Sequence, residues 1–452
     1  MAGWDALREL FYEELQQLKE EGRDVSGAWI PETEDDDSFN HAYDQLMRLP
    51  LRPDFPYMEP VAGEEVWREA ERPAPKKLCT GTLFQKLYAA WVGRAAGCAL
   101  GKPVEIGMYM NGGLGRRGWE NVRKWFADAD AYPITSYTPG HSRAEADGLL
   151  VRCPRSWREN ICFMESDDDV RYTVLGLALL EEKGFSFSTW DVGKNWHARL
   201  TYGQVCTAET QAYLNFAAVT SHIKGDEPED AAEKLDWVRS WRNPYREWIG
   251  AQIRVDAYGY AGAGDPALAA ELARRDAELS HVRNGVYGAM FCAAMIAAAF
   301  TANSAREIVE TGLKVVPKRS RLYEAIEDTL SWAEEEQNPE VLCDRLWDAW
   351  GNYNGVHTIN NASLCAAALL SSGGDYEKAI TTSVLCGWDT DCNGATVGSI
   401  MGAWLGEVPE KWAAPLQDTM YSQVSGFDPI TFTDIAARTL EVIKKNRPEV
   451  FA

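Results

Sequence analysis

An all-α fold is what this sequence predicts, from three observations. Beyond the first eighty residues, Ala-rich amphipathic stretches of helical spacing follow one another; alternating runs of strand type are nearly absent; and no repeat of fixed period points to a solenoid. The 452-residue chain is 46% hydrophobic and 25% charged, so a sizeable buried core is within its means.

Taken in order, residues 4–22 set Leu7, Leu10, Phe11, Leu15 and Leu18 at helical spacing, with Glu on the opposite face. The acidic run ETEDDD, Glu32 to Asp37, follows. From Pro50 to Pro75 six prolines interrupt any long regular element, because each lacks a backbone donor and restrains the residue before it. Residues 1–78 read as an N-terminal extension packing on a main domain at 79–452. Within that domain, helices are expected near 82–101, 170–183, 266–279, 285–302, 305–314, 320–336, 361–371, 376–386 and 393–405. The stretch from Gly285 to Ala302 carries no charge over 18 residues and touches the lower limit of a membrane span. It is mostly Ala and Gly, and no second such stretch accompanies it, so a helix buried on all sides is the expectation, with no membrane partner.

The formal net charge of −23 repels phosphate backbones, which argues against nucleic acid as a partner. Ten cysteines are scattered without a CxxC pair, and the N-terminus lacks a basic-then-apolar secretory pattern. Reduced thiols and a cytoplasmic location are therefore expected.

Two helices carry glycine every fourth residue: Gly93, Gly97 and Gly101 in the first, and Gly394, Gly398, Gly402 and Gly406 near the C-terminus. Residues four apart share a helix face. A glycine inside a helix costs about 0.8–1 kcal/mol relative to alanine, so another backbone or a ligand must come close to each ridge. Tight helix packing satisfies that need by itself, yet both ridges adjoin acidic groups.

Those groups are Glu165, Ser166, Asp167, Asp168 and Asp169 before one helix, and Asp389 and Asp391 before the second ridge, with Asn393 as a candidate cap. One or two acids suffice to cap a helix N-terminus. Three consecutive aspartates exceed that need, and their repulsion calls for solvent or a cation. Carboxylates and a hydroxyl without His or Cys patterns suit a hard ion such as Mg2+ better than zinc. Two oxygen-rich helix starts more than two hundred residues apart could bracket one ion or a pair.

The combination GRAAGCALGKPVE, then SDDD before a helix, then GWDTDCNGATVGSIMGAWLG resembles the ADP-ribosylglycohydrolase family, with its patterns GxxxGDALGxPxE, TDDT and GGDTDTNAAxxGxxxGA. The match spans about residues 82–406, and NPYREWIGAQIR and the Ser280–His281 pair resemble the family's central segments. The resemblance implies an orthogonal all-α bundle around two Mg2+ ions, and hydrolysis at the anomeric carbon of an ADP-ribose-like group. Carried over, Ser166, Asp167, Asp168, Asp389 and Asp391 would be metal ligands. Glu105, Asp168 and Asp389 would be catalytic, Glu105 as general acid or base.

This chain departs from the pattern at Cys98 for the aspartate of GDALG, Asp169 for the last threonine of TDDT, Trp388 for a glycine, Cys392 for a threonine and Ile249 for an asparagine. A thiol is a poor Mg2+ partner, so the second ion and the usual substrate are the points these changes touch. Trp248, Gly250, Tyr213, Asn215, His281 and Trp388 are further candidates for substrate contact. Core packing is the competing role for the aromatics, and a hydrogen-bonded core position for His281 and His357. The leading reading is a Mg2+-dependent glycosidase acting on a small-molecule or protein-linked ribosyl substrate. A nucleoside-like or other furanoside substrate, and a catalytically silent ADP-ribose-binding relative, are the alternatives.

Overall fold

Most of the expected helices form, and their ends follow local capping chemistry. The computed structural model describes residues 3–32, 35–221 and 225–452; among these no β-strand forms, only isolated bridges such as that between Met164 and Met420. The expected elements appear as Leu7–Glu20, Thr80–Gly101, Asp168–Lys183, Pro266–Ala277, Arg283–Ala299, Ala305–Lys314, Arg321–Trp332, Thr358–Ser371, Tyr376–Leu385 and Thr390–Leu405. Arg283–Ala299 is buried from Asn284 onward, and no helix among the described residues is long and apolar enough to cross a membrane.

Two boundaries are corrected. The helix expected over 320–336 stops at Trp332. The last glycine-ridged helix starts at Thr390, not 393, so Asn393 is no cap: it lies inside the helix, where its Nδ2 donates to Asn361 Oδ1 at 2.7 Å. Of the ETEDDD run, positions 33 and 34 lie outside the described residues, and Asp35 caps Asp36–Leu46 by accepting from the backbone of Ser38.

The glycine ridges meet each other. An added Cβ at Gly93, Gly97 or Gly101 would come well within 3.0 Å of the backbone at Gly398, Gly394 or Thr390 respectively. The two helices thus run antiparallel in backbone contact, sealed by Thr390 Oγ1 donating to Gly101 O at 3.0 Å. The crossing sets the end of one helix, leading into Lys102 and Glu105, against the start of the other at Asp389 and Asp391.

The N-terminal residues lie on the later helices through buried charge. Arg246 reaches Glu14 at 2.7 Å and Glu21 at 2.8 Å, and Arg283 reaches Glu21 at 2.7 Å. Gln17 donates to Glu247 at 2.7 Å, while Arg321 pairs with both Glu59 and Glu247 at 2.8 Å. Removing one member of a buried pair leaves the other desolvated and unpaired, at about 3–5 kcal/mol. Arg246→Met, which strands Glu14 and leaves Glu21 with Arg283 alone, is expected to lose about that much in urea unfolding; an unchanged midpoint would contradict the account.

Candidate metal centre and active site

Asp167 caps the Asp168–Lys183 helix by accepting from Asp169 N–H at 3.1 Å, and this fixes the direction of the acidic run. Asp389 stands at the N-cap of Thr390–Leu405 without a capping bond of its own, and Asp391 follows in the first turn. The two helix starts converge. Cys98, Asp167, Asp169 and Asp391 each bring a ligand atom within 4.8 Å of the others, as do Asp389, Asp391 and Cys392.

The two groups differ in how their charge is balanced. In the first, Lys102 Nζ lies 2.9 Å from Asp167 Oδ2 and donates to Ser166 O at 2.8 Å. Arg94, fully buried, pairs at 3.0 Å with Asp169 on one side and Asp256 on the other. That group carries its own cations. In the second, Asp389 Oδ1 and Asp391 Oδ1 are buried with no hydrogen-bond partner. Buried carboxylate oxygens without a donor are costly, and an oxygen-seeking divalent cation is what their chemistry fits.

The electrostatics follow. Burial, then the neighbouring Asp167 and Asp391, pushes Asp168 up to about 8; burial and Asp167 push Asp391 up to about 6. Asp389 rises well above the usual carboxylate range through burial and Asp391. Glu105 rises too: it opens on a cavity, but the protein around it desolvates it, and Asp391 and Asp389 repel its charge. Asp167 goes the other way, because the Lys102 ammonium outweighs burial and holds it down to about 2. Cys98 and Cys392 are pushed up by burial and nearby carboxylates, so both stay thiols and are weak ligands for a hard ion.

A cavity of about 410 Å3 opens over the second group, lined by Glu105, Asp168, Asp389 and Cys392 together with Trp4, Met110, Cys206, Thr207, Trp248, Gly250 and others. Of the six substrate candidates, Trp248 and Gly250 reach this wall. At Gly250 a Cβ would strike the Glu209 carboxylate, which would have to shift from its 2.6 Å pairing with Arg254. The other four serve elsewhere. Tyr213 donates to Leu200 O at 3.1 Å and packs on His197, and Asn215 donates to Val238 O and Trp241 O. His281 is buried beside Ser280 Oγ at 2.8 Å. Trp388 is buried and stacks on Trp347 at 5.2 Å. Its φ of +58° explains why the resembling pattern has glycine at this place, since a side chain there is strained. Ser166 Oγ already accepts from Arg171 Nη2 at 3.0 Å.

Lys102 and Arg94 were not singled out from sequence, although Arg94 stands in the apolar, glycine-rich half of its helix and Lys102 directly after it, which signals a buried partner for each. Cys206 and Thr207, the latter with φ +36°, gave no such signal.

Among known proteins, one solved structure named "ADP-ribosylglycohydrolase-related protein complex" is 19% identical and aligns over 81% of this chain and 99% of its own, at a TM-score of 0.48. No curated protein matches the sequence. The sequence profile of ADP-ribosylglycohydrolase matches residues 80–449, most of the chain. The chain therefore belongs to the ADP-ribosylglycohydrolase family and is a hydrolase of ADP-ribosyl-type glycosidic bonds.

Proposed function

We propose that the chain hydrolyses an N- or O-glycosidic bond at the anomeric carbon of an ADP-ribosyl group in a Mg2+-dependent reaction, with one ion held by Asp389 and Asp391 and flanked by Asp168. The observation that carries this reading is the pair of buried, unpartnered oxygens, Asp389 Oδ1 and Asp391 Oδ1, beside a cavity that also receives Glu105. An ion bound there supplies positive charge for the ribose hydroxyls and for an attacking water. The group around Asp167 and Asp169 already has Lys102 and Arg94 as its cations, which favours one ion over two.

The residues divide the remaining work. Breaking the C1 bond passes through an oxocarbenium-like state, for which a carboxylate pair is the usual protein tool. Glu105 carries the proton: its carboxyl, held above the usual range, gives a proton to the departing atom or takes one from the water whose oxygen bonds to C1. Asp168 and Asp389 line the same space and, once a bound cation has displaced their protons, would be the carboxylates facing the developing oxocarbenium charge. Lys102 positions Asp167, and through it the first turn of the Asp168–Lys183 helix.

The test is turnover of an N-linked ADP-ribosyl-arginine and an O-linked ADP-ribosyl-serine, with Mg2+ or with EDTA. Release of ADP-ribose from one of them in Mg2+ only is expected. Binding of ADP-ribose without release from either substrate would favour the silent relative instead.

A further inference from the structure

The cavity over the acidic centre has a wall that lies outside the region matched to the family. Trp4 lines it, from the N-terminal segment, whereas the family match begins at residue 80. The chain has 18 tryptophans, and Trp4 is the most exposed of them at 51%. A large aromatic that lines a cavity and stays half exposed, in a protein where Trp29 is the only other exposed tryptophan among the described residues, offers a face for binding.

The segment that bears Trp4 is held in place on both sides. Tyr202 Oη donates to Gly3 O at 2.6 Å, and Tyr245 Oη donates to the Asp5 carboxylate at 2.6 Å. A side chain at Gly3 would meet Gln211 and Leu214, so the backbone is seated directly on the Thr207–Val219 helix. Tyr245 in turn packs edge-on against Trp248 at 4.9 Å, tying the anchor of Trp4 to the second tryptophan of the wall. The Leu7–Glu20 helix that follows is fixed by the Glu14–Arg246 pair.

The cavity wall is thus of two kinds: the carboxylates of Glu105, Asp168 and Asp389, and the aromatic and apolar surface of Trp4, Trp248, Met110, Ile249 and Val356. A ligand suited to both has a hydroxylated sugar at one end and a flat aromatic ring at the other. We propose that Trp4 is a specificity-determining residue of the substrate site, stacking on a purine-like base while the ribosyl end reaches the acidic centre. This rests on the functional reading above and adds to it that the N-terminal segment completes the site.

Calorimetric titration in Mg2+ with ADP-ribose, and with ribose 5-phosphate, which lacks the base, tests it on the full-length protein, Trp4→Ala and Trp4→Phe. Trp4→Ala is expected to weaken ADP-ribose binding about tenfold, the scale of one aromatic–base stack, while Trp4→Phe keeps most of it and ribose 5-phosphate is unaffected by either. Undiminished ADP-ribose binding by Trp4→Ala, or an equal loss for both ligands, overturns the proposal and leaves the functional reading standing. A wild-type protein that binds neither ligand overturns both.

Discussion

Asp389→Ala is expected to lower kcat/KM by about three decades with the fold intact. The side chain caps nothing, since no backbone N–H is donated to it from its own helix, so its removal costs the helix little. What it removes is one of two buried oxygens without a donor and one wall of the cavity. The several kcal/mol that a metal ion contributes to a charged transition state set the size of the loss, at about 1.4 kcal/mol per decade. The check is steady-state kinetics beside a thermal melt in EDTA. An unchanged melt with lost activity is the predicted pair, and activity within tenfold of wild type would contradict the assignment.

Gly97→Val is expected to destabilise by about 3 kcal/mol or more, the top of the range for overpacking. The atoms it strikes are backbone, Gly394 C and O and Ala395 N, which cannot rotate away. The two helices would have to part, loosening the contacts at Gly93–Gly398 and Gly101–Thr390 as well, and Asp391 would move relative to Lys102. Gly81, in the first turn of the same helix, has nothing within 4 Å of its missing Cβ, so Gly81→Ala should be neutral or stabilising by up to about 1 kcal/mol. Urea unfolding of both variants checks the contrast; similar midpoints would show that the ridge is not a packing constraint.

The parts of the molecule legible in the sequence were those with a local signature. Four-residue glycine spacing announced a close backbone approach, and three aspartates in a row announced a charge needing a partner, because each departs from what an ordinary helix needs. Helices such as Gly118–Asp128, Thr189–Arg199, Thr207–Val219, Ala231–Ser240, Pro339–Trp350 and Phe432–Asn446 were passed over. Thr207–Val219 has no clear apolar stripe, whereas Gly118–Asp128, with Trp119, Val122, Trp125 and Phe126, and Phe432–Asn446, with Ile435, Ala436, Val442 and Ile443, carry stripes that were there to be read. Partnership over long range was hidden for a different reason. Lys102 meeting Asp167, Arg94 between Asp169 and Asp256, and Trp4 beside Trp248 all depend on how helices cross, and hydropathy carries period without saying which faces meet. The aromatics Tyr213 and Trp388 show the converse: rings expected at the cavity pack on His197 and Trp347 instead.

The central claim is that carboxylates from distant helix starts enclose a shared divalent ion, and calorimetric titration of the protein with Mg2+ at pH 6 and pH 8 tests it most directly. Without metal, Asp391 and Asp168 are pushed up to about 6 and about 8, so they hold protons that a cation must displace. Affinity should therefore be higher at pH 8. By the same linkage, metal-free stability should fall as pH rises from the unfolded carboxyl value of about 3.9 toward those raised values, because the folded state binds more protons there. The prediction is one ion per chain, tighter at pH 8 than at pH 6 and lost in Asp391→Asn; no Mg2+ binding, or equal binding by that variant, would contradict it.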